Sequence, residues 1–136
     1  MIRTVDTSIL VAAFASWHDD HGPAVRELAK KPSVIAHAAI ETYSLLTRLP
    51  EPQRAEPALV VEFLDRNFAG NPLTLDADHL RSVPGRLAEL GIVGGAAYDG
   101  IIALIAADCG AHLISLDRRA EATYRRCGVS FELIGP

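Results

Sequence analysis

The stretch "IRTVDTSIL", residues 2–10, joins one short apolar segment to another through a carboxylate. Residues 2–6 predict a strand, and residues 7–14 predict a helix that begins directly after Asp6. A carboxylate at such a junction has two explanations. It caps the free N–H groups of the helix, or it belongs to a functional site at the end of the strand. The positions of the other acids in the chain distinguish between them.

The composition is that of one ordinary globular domain. The chain has 136 residues, of which 49% are hydrophobic and 22% charged, and this length and balance allow one hydrophobic core. We therefore predict a single domain over residues 1–136. The formal net charge of −4 argues against a broad basic surface for nucleic acid. It does not exclude RNA or DNA, because a bound cation changes the local sign of an acidic site.

The sequence predicts a cytoplasmic protein without a membrane span. No apolar run reaches the roughly 18 residues that a spanning helix needs. The N-terminal segment has one arginine, Arg3, and no apolar stretch that ends at a small-residue cleavage site. Cys109 and Cys127 form no CxxC motif, and we expect two reduced thiols rather than a disulfide.

Strand-like and helix-like segments alternate along the whole chain. Such alternation predicts a parallel sheet covered by helices on both faces, which is a three-layer α/β/α fold. The segment "IIALIAA", residues 101–107, is apolar on nearly every side and predicts a buried helix. Pro84 is a candidate break in one helix. Further strands are predicted at residues 33–37, 72–75, 112–116 and 129–134, and further helices at residues 23–30, 38–49, 55–68, 76–90, 96–109 and 118–127.

Four acids occupy equivalent places in this predicted fold. Asp6 and Asp117 end strands, and Glu41 and Asp99 lie in the first turns of two predicted helices. In parallel sheets, sites form outside the carboxyl ends of the strands, so we expect the four side chains to meet at one edge. Helix capping explains each acid equally well when that acid is considered singly. Asp99 is the hardest to explain in this way, because its helix is otherwise apolar.

Four carboxylates that meet need a positive partner. Like charges a few ångströms apart repel, and no Lys or Arg is placed in the sequence to neutralise their centre. Oxygen-only ligands suit Mg²⁺ or Mn²⁺. Such an ion polarises a phosphoryl oxygen, lowers the pKa of a bound water and stabilises a leaving oxygen. Phosphodiester hydrolysis is the reaction that best uses this combination.

Four segments of the sequence match a known pattern in order and spacing. They are "TVDTSIL" at residues 4–10, "ETYSLLTRL" at 41–49, "YDGIIALIA" at 98–106 and "LISLDRR" at 113–119. Together they resemble the four motifs of the PIN-domain ribonucleases, and they are most similar to those of the VapC toxins of bacterial toxin–antitoxin pairs. The resemblance covers nearly the whole chain, residues 2–134.

The resemblance implies a central first strand whose neighbours carry the second and fourth motifs. It also implies Mg²⁺- or Mn²⁺-dependent endonucleolytic cleavage of RNA that leaves a 5′-phosphate. Asp6, Glu41, Asp99 and Asp117 match the acidic metal-binding and catalytic site of the family, and Ser115 matches a position usually held by Thr or Ser. For a toxin, it implies a homodimer and an antitoxin whose tail covers the acidic groove, with an Arg or Lys in place of the charge of the metal.

Three hydroxyl-bearing residues have both a functional and a structural interpretation. Thr7 and Ser8 follow Asp6, so their hydroxyls either orient Asp6 or a metal-bound water, or cap the helix. Ser115 either hydrogen-bonds one of the acids or packs within its strand.

Arginines and a polar loop near these motifs also have two interpretations each. Arg48 either binds a substrate phosphate or forms an ion pair at the edge of the site. Arg118 and its neighbour Arg119 either attract RNA or lie on a solvated first turn. "WHDDH", residues 17–21, resembles a transition-metal cluster but lacks regular ligand spacing. Trp17 either stacks on a base or packs against a partner.

Other functions on the same scaffold leave different marks in a sequence. A receiver domain needs a lysine at a late strand end, and no lysine follows Lys31. A haloacid-dehalogenase-type phosphatase normally has two Asp residues separated by one position, whereas Thr7 and Ser8 follow Asp6 here. A non-catalytic binding module and a PIN nuclease that is not a toxin remain as alternatives. The loss of one acid would favour the binding module, but all four acids are present.

Overall fold

A computed structural model describes residues 1–135 of the chain. The described part contains four short strands, seven α-helices and one 3₁₀ turn. The strands are β1 (Ile2–Val5), β2 (Ser33–Val34), β3 (Ala111–Ser115) and β4 (Ser130–Leu133). The helices are α1 (Thr7–Phe14), α2 (His21–Leu28), α3 (Ala36–Thr47), α4 (Pro57–Asn67), α5 (Ala77–Glu89), α6 (Ala96–Asp108) and α7 (Glu121–Cys127), and the 3₁₀ turn is Arg118–Ala120.

The four strands form one parallel sheet in the order β2-β1-β3-β4. Val5, the last residue of β1, is in register with Val34 of β2 and Ile114 of β3. The carboxyl ends of the three strands therefore lie side by side. The predicted three-layer α/β/α fold is confirmed, and β1 lies between the strands that precede the second and fourth motifs.

The sheet and α6 form the centre of the hydrophobic core. Val5, Leu113 and Ile114 of the strands are fully buried, as are Ile102 and Ile105 of α6. This agrees with the apolar pattern of the "IIALIAA" segment. α1 packs against α2 and α3, while α6 packs against α5 and α7. The helices that carry the second and third motifs are thus held by the core itself.

The segment at residues 72–75 does not form the predicted strand. It makes one isolated parallel bridge, between Leu73 and Ile35, through backbone hydrogen bonds to Val34 and from Ala36. The second strand is also shorter than predicted, because Ile35 is already the N-cap of α3. As α3 begins at Ala36, Glu41 lies in its second turn, and the predicted first-turn position was wrong.

Pro84 does not interrupt its helix, because α5 continues through it from Ala77 to Glu89. Gly128 ends α7 in a left-handed conformation with φ of 70°, as its position after the helix suggests. No helix within residues 1–135 combines the length and apolar character that crossing a membrane requires.

Candidate active site

The four predicted acids line one open cleft of about 430 Å³. Asp6 directly follows β1, and Asp117 lies two residues after the end of β3. Glu41 and Asp99 reach the same cleft from α3 and α6. The parallel register explains this arrangement, since it aligns the carboxyl ends of the strands at one edge of the sheet.

Asp6 is both a helix cap and a wall of the cleft. Its Oδ1 accepts hydrogen bonds from the backbone N–H groups of Ser8 (3.0 Å) and Ile9 (3.4 Å), which are free at the start of α1. The Ser8 hydroxyl donates to the same oxygen at 2.5 Å. Only 3% of Asp6 is exposed, so these bonds hold the carboxylate in one orientation.

Tyr124 is a partner of Asp6 that sequence reasoning missed. Its hydroxyl donates to Asp6 Oδ2 at 2.6 Å, and the residue is fully buried in α7. Burial, together with the charge of Asp6, raises the pKa of Tyr124, so the hydroxyl keeps its proton and remains a donor. The sequence indicates only that a buried tyrosine hydroxyl needs a hydrogen-bond partner. Which residue is that partner depends on the tertiary fold.

Burial also dominates the electrostatics of Asp6. It raises the pKa of the carboxyl above its ordinary value, while hydrogen bonds from Ser115, Ser8 and Tyr124 act in the opposite direction. The side chain therefore sits in a poorly solvated place where its ionised form depends on the donors around it.

The Thr7 hydroxyl binds Glu41 and not its sequence neighbour Asp6. It donates to Oε1 of Glu41, and Thr7 itself is buried. This bond joins the start of α1 to the middle of α3. Of the two hydroxyls that follow Asp6, Ser8 orients Asp6 and Thr7 orients Glu41.

Asp117 is held by the turn that follows β3. Its backbone N–H donates to the Ser115 hydroxyl at 2.9 Å, and its Oδ1 accepts from the backbone N–H of Arg119 at 3.0 Å. The Arg119 side chain lies nearby, with Nε 3.4 Å from the same oxygen. Arg119 also lines the cleft, which corrects the expectation that no basic residue would be placed near the acids.

Asp99 carries the clearest electrostatic sign that the acids affect one another. Its pKa is raised from 3.8 to about 6, first by burial and then by the negative charges of Asp6, Asp117 and Glu41. No hydrogen bond to Asp99 is present within residues 1–135, in contrast to the other three acids. Asp99 is thus the acid whose ionisation most depends on a positive charge in the cleft.

The residues present fit a hydrated divalent cation of the Mg²⁺ class. The donors are carboxylate and hydroxyl oxygens, which such ions prefer, and the raised pKa of Asp99 indicates an uncompensated negative potential. Within residues 1–135, no three Asp, Glu, His or Cys side chains converge closely enough to enclose an ion by themselves. This does not conflict with Mg²⁺, which keeps several waters and is held directly by one or two carboxylates.

Two residues of the "WHDDH" segment line the same cleft, although sequence reasoning gave them no part in it. His18 and Asp20 reach it from the loop between α1 and α2. The segment forms no transition-metal cluster within the described chain. His21 points its Nδ1 to the carbonyl oxygen of Ala12 at 2.8 Å and so has a structural contact.

Arg48 and Arg118 do not line the acidic cleft. Arg48 is exposed and donates to the Ser44 hydroxyl at 2.8 Å. It borders a neighbouring groove of about 400 Å³ that shares only Glu41 with the cleft. Arg118 lies in the 3₁₀ turn directly after Asp117. The cleft itself receives Arg119 instead.

Comparison with known proteins gives matches over nearly the whole chain. Residues 3–126 match the model of the PIN domain. Ribonuclease VapC40 of Mycobacterium tuberculosis (strain CDC 1551 / Oshkosh) is 47% identical over 129 residues, which cover 95% of this chain and 96% of that protein. Ribonuclease VapC27 of M. tuberculosis (strain ATCC 25618 / H37Rv) is 39% identical over 126 residues, covering 92% and 91% of the two chains.

Proposed function

The chain belongs to the PIN-domain family, among its VapC-type ribonucleases, and from this premise we propose that it is an endoribonuclease. It hydrolyses RNA phosphodiester bonds in the cytoplasm and leaves 5′-phosphates. The reaction uses Mg²⁺ or Mn²⁺ held at the acidic cleft. The observation that carries this proposal is the placement of Asp6, Glu41, Asp99 and Asp117 around one cleft at the carboxyl ends of the strands.

The residues of the cleft have different proposed roles toward the cation. One or two of the carboxylates of Asp6, Asp99 and Asp117 would hold the ion directly and the others would bind its waters, with Glu41 on the α3 side of the acidic site. Ser8 and Tyr124 fix the orientation of Asp6, and the Ser115 hydroxyl accepts from the backbone of Asp117. When bound, the ion polarises the phosphoryl oxygen, favours ionisation of the attacking water and stabilises the leaving oxygen.

Glu41 has the features of a group that accepts a proton or positions water. The Thr7 hydroxyl donates to Oε1, no other side chain within residues 1–135 donates to this carboxylate, and Glu41 lines the cleft. A carboxylate so oriented can accept a hydrogen bond from water at the phosphate. Arg48 and Arg118 remain proposed contacts for phosphates outside the cleft, where Arg side chains position the RNA backbone.

The test is cleavage of total cellular RNA in Mg²⁺ or Mn²⁺, compared with EDTA. We expect cleavage by the wild-type chain and at least a hundredfold loss in Asp6→Asn and Asp117→Asn, since each substitution removes a carboxylate charge. Asp108→Asn is the matched control, because Asp108 lies at the other end of α6 and pairs with Arg86. Equal cleavage by wild type and Asp6→Asn would remove the basis of the proposal.

We further propose that the ribonuclease is a toxin with a cognate antitoxin protein. The acidic cleft is open, and a cationic side chain on an antitoxin tail would replace the charge of the metal there. Expression of the chain should arrest growth, and coexpression of its cognate antitoxin should relieve the arrest. A harmless wild-type chain that still cleaves RNA would instead identify a PIN nuclease with a different role.

A homodimer is proposed on the face formed by α3 and the start of α6. Two large apolar side chains of this face, Ile40 and Tyr98, are each 67% exposed and line the same groove. Such a face is unusual on a monomer, and a second copy of the chain would cover it. Ile40→Glu should give a monomer in light-scattering measurements, whereas Leu59→Glu on exposed α4 should not. A wild-type chain that is monomeric at high concentration would contradict this assignment.

The main alternative is a non-catalytic module that binds RNA or protein through the same scaffold. The retained set of four acids argues for the enzyme, because a binding module has no need of a cleft that repels anions. RNA binding by both wild type and Asp6→Asn, with cleavage by neither in any divalent cation, would favour this alternative.

A further inference from the structure

The loop at residues 15–20, between α1 and α2, forms one side of the acidic cleft. His18 and Asp20 line the cleft with the four acids, and Trp17 is 53% exposed beside them. We propose that Trp17 and His18 bind the RNA strand, with His18 donating a hydrogen bond to a phosphate and Trp17 stacking on an adjacent base. This inference rests on the proposed ribonuclease function and names the residues that hold its substrate.

The hydrogen bonds of His18 define which of its ring nitrogens can reach a ligand. Its Nδ1 accepts from the backbone N–H of Asp20 at 3.0 Å. In the neutral ring the proton is therefore on Nε2. No residue within 1–135 accepts a hydrogen bond from Nε2. The ring thus presents an unused N–H donor on the wall of the cleft where the phosphate is to be cut.

The loop is also held firmly enough to fix this donor in place. The backbone N–H of His18 donates to the Ala15 carbonyl at 3.0 Å, and the His18 carbonyl accepts from the backbone N–H of His21 at 3.1 Å. His21 in turn contacts the carbonyl oxygen of Ala12 in α1. A binding group that is already ordered loses less conformational entropy when the ligand arrives.

Trp17 has the position and surroundings of a stacking platform. Its ring lies beside that of His18, with centroids 6.0 Å apart and planes tilted by 36°. Its neighbours Ser16 and Asp19 are exposed polar residues. A protein-binding surface would surround the ring with other apolar side chains, as on the α3 face. An exposed aromatic ring that is flanked by polar residues and lies beside a hydrogen-bond donor suits a nucleobase.

The cleft has few other side chains that could bind a phosphate. Five carboxylates line it, those of Asp20 and the four acids, against one basic side chain, Arg119. The Nε2–H of His18 adds a hydrogen-bond donor for a phosphate oxygen to a cleft that is lined mainly by carboxylates. Arg119 follows β3 and His18 follows α1, so the strand would be contacted from two separate segments.

The chain offers a direct optical test, because Trp17 is its only tryptophan. In the Asp6→Asn variant with Mg²⁺, single-stranded poly(A) should quench Trp17 emission and protect it from acrylamide. In the chain with native acids, Trp17→Ala should raise KM for RNA about tenfold with a smaller change in kcat, as expected for loss of one stacked base. His18→Ala should raise KM by about threefold to tenfold.

His18→Gln is the conservative variant, because its amide N–H takes nearly the place of Nε2–H, and it should restore most of the affinity. Leu59→Ala is the matched control, since Leu59 is 52% exposed on α4, away from the cleft. Circular dichroism and melting curves identify any variant that is misfolded. If His18→Ala is misfolded, the KM of His18→Gln shows whether an N–H donor at this position is sufficient for RNA binding.

Each other outcome overturns the inference and separates it from the proposed function. If wild type cleaves RNA while both alanine variants keep its KM and poly(A) leaves Trp17 emission unchanged, only the inference falls. If the variants lose binding to a coexpressed partner protein but not to RNA, the loop is a protein contact and the inference is again wrong. If wild type neither cleaves RNA nor is quenched by it, both proposals fall.

Discussion

Asp99 is the acid whose pKa is raised by the charges of all three other acids of the cleft. Without a cation, its raised pKa of about 6 means that the folded state binds the proton more tightly than the unfolded chain does. The proton therefore stabilises the fold below about pH 4, and this contribution is lost as the pH rises through about 6. The rise in the pKa from 3.8 to about 6 corresponds to a change of about 3 kcal/mol at most in the free energy of unfolding. Solvent screening in the open cleft reduces this change to about 1 kcal/mol.

Asp99→Asn should accordingly stabilise the metal-free protein at neutral pH while it abolishes cleavage. We expect the melting temperature at pH 7 in EDTA to rise by about 3–4 °C, with little difference from wild type at pH 4. Melting curves across this pH range test the expectation. Asp108→Asn should instead lower the melting temperature at pH 7, because the hydrogen bond from Arg86 lowers the pKa of Asp108. A neutral-pH loss of stability in Asp99→Asn would contradict the account.

Tyr124 stabilises the site through one hydrogen bond and can be tested without disturbing the core. Tyr124→Phe preserves the ring but removes the donor to Oδ2 of the buried Asp6. We expect a loss of about 1–2 kcal/mol in the free energy of unfolding and a roughly tenfold loss of cleavage, since Asp6 is less well oriented. Urea unfolding and RNA cleavage measure the two effects. Tyr43→Phe, which removes an exposed hydroxyl, should change neither.

The sequence indicated that the four acids lie near one edge of the sheet, where they line one cleft, but it could not assign their hydrogen-bond partners. Helix capping and site formation are not exclusive, because Asp6 and Asp117 each cap a turn and line the cleft. Local spacing does reveal a cap. It cannot reveal that Thr7 reaches Glu41 or that Tyr124 reaches Asp6, because these contacts join segments that only the fold brings together.

At the scale of elements, the helices were more predictable than the edges of the sheet. α1 has the predicted bounds, because the apolar run after Asp6 and its cap define them. The segment at residues 72–75 was wrongly predicted as a strand, since only one bridge, Leu73 to Ile35, forms there. An edge strand forms only where the neighbouring strand offers residues to pair with, and β2 has only two residues. Composition does not contain this information.

The junction of α5 and α6 depends on a glycine. A Cβ on Gly100 would lie 2.6 Å from Leu87 Cδ2 and 3.3 Å from Ile92 Cγ2. Gly100→Ala gains about 1 kcal/mol of helix propensity, but the overpacking costs more. We expect a net loss of about 1 kcal/mol, measured by urea unfolding. In a Leu87→Ala background the same substitution should stabilise the protein, and a loss of equal size there would refute the steric explanation.

For the whole molecule, the cation should act as a structural ligand as well as a catalytic one. An ion that binds only the folded state stabilises it, by about 2.7 kcal/mol at a hundred times its Kd. Mg²⁺ or Mn²⁺ should therefore raise the melting temperature of the wild-type chain, and EDTA should reverse the rise. NaCl at matched ionic strength is the control for screening. Asp117→Asn should show a smaller rise, and an equal rise would place the ion elsewhere.

The location of the cleft was the most predictable feature of the whole molecule. Alternation of strands and helices predicted a parallel sheet, and a parallel sheet brings Asp6 and Asp117 to one edge. The loop that carries Trp17 and His18 was not predicted to line the cleft. Its position depends on how α1 packs on α2 and α3, and short loops have no periodic pattern from which such packing can be read.

Synthesis on the ribosome releases β1 first, although this strand lies between β2 and β3 in the sheet. A nascent chain thus carries Asp6 and Glu41 well before β3 and Asp117 emerge. Contacts between segments so far apart in sequence form late, and β1 has only one of its two neighbours until then. For the proposed ribonuclease we therefore expect no cleavage by a chain truncated before β3, because such a chain lacks both Asp117 and one neighbour of β1.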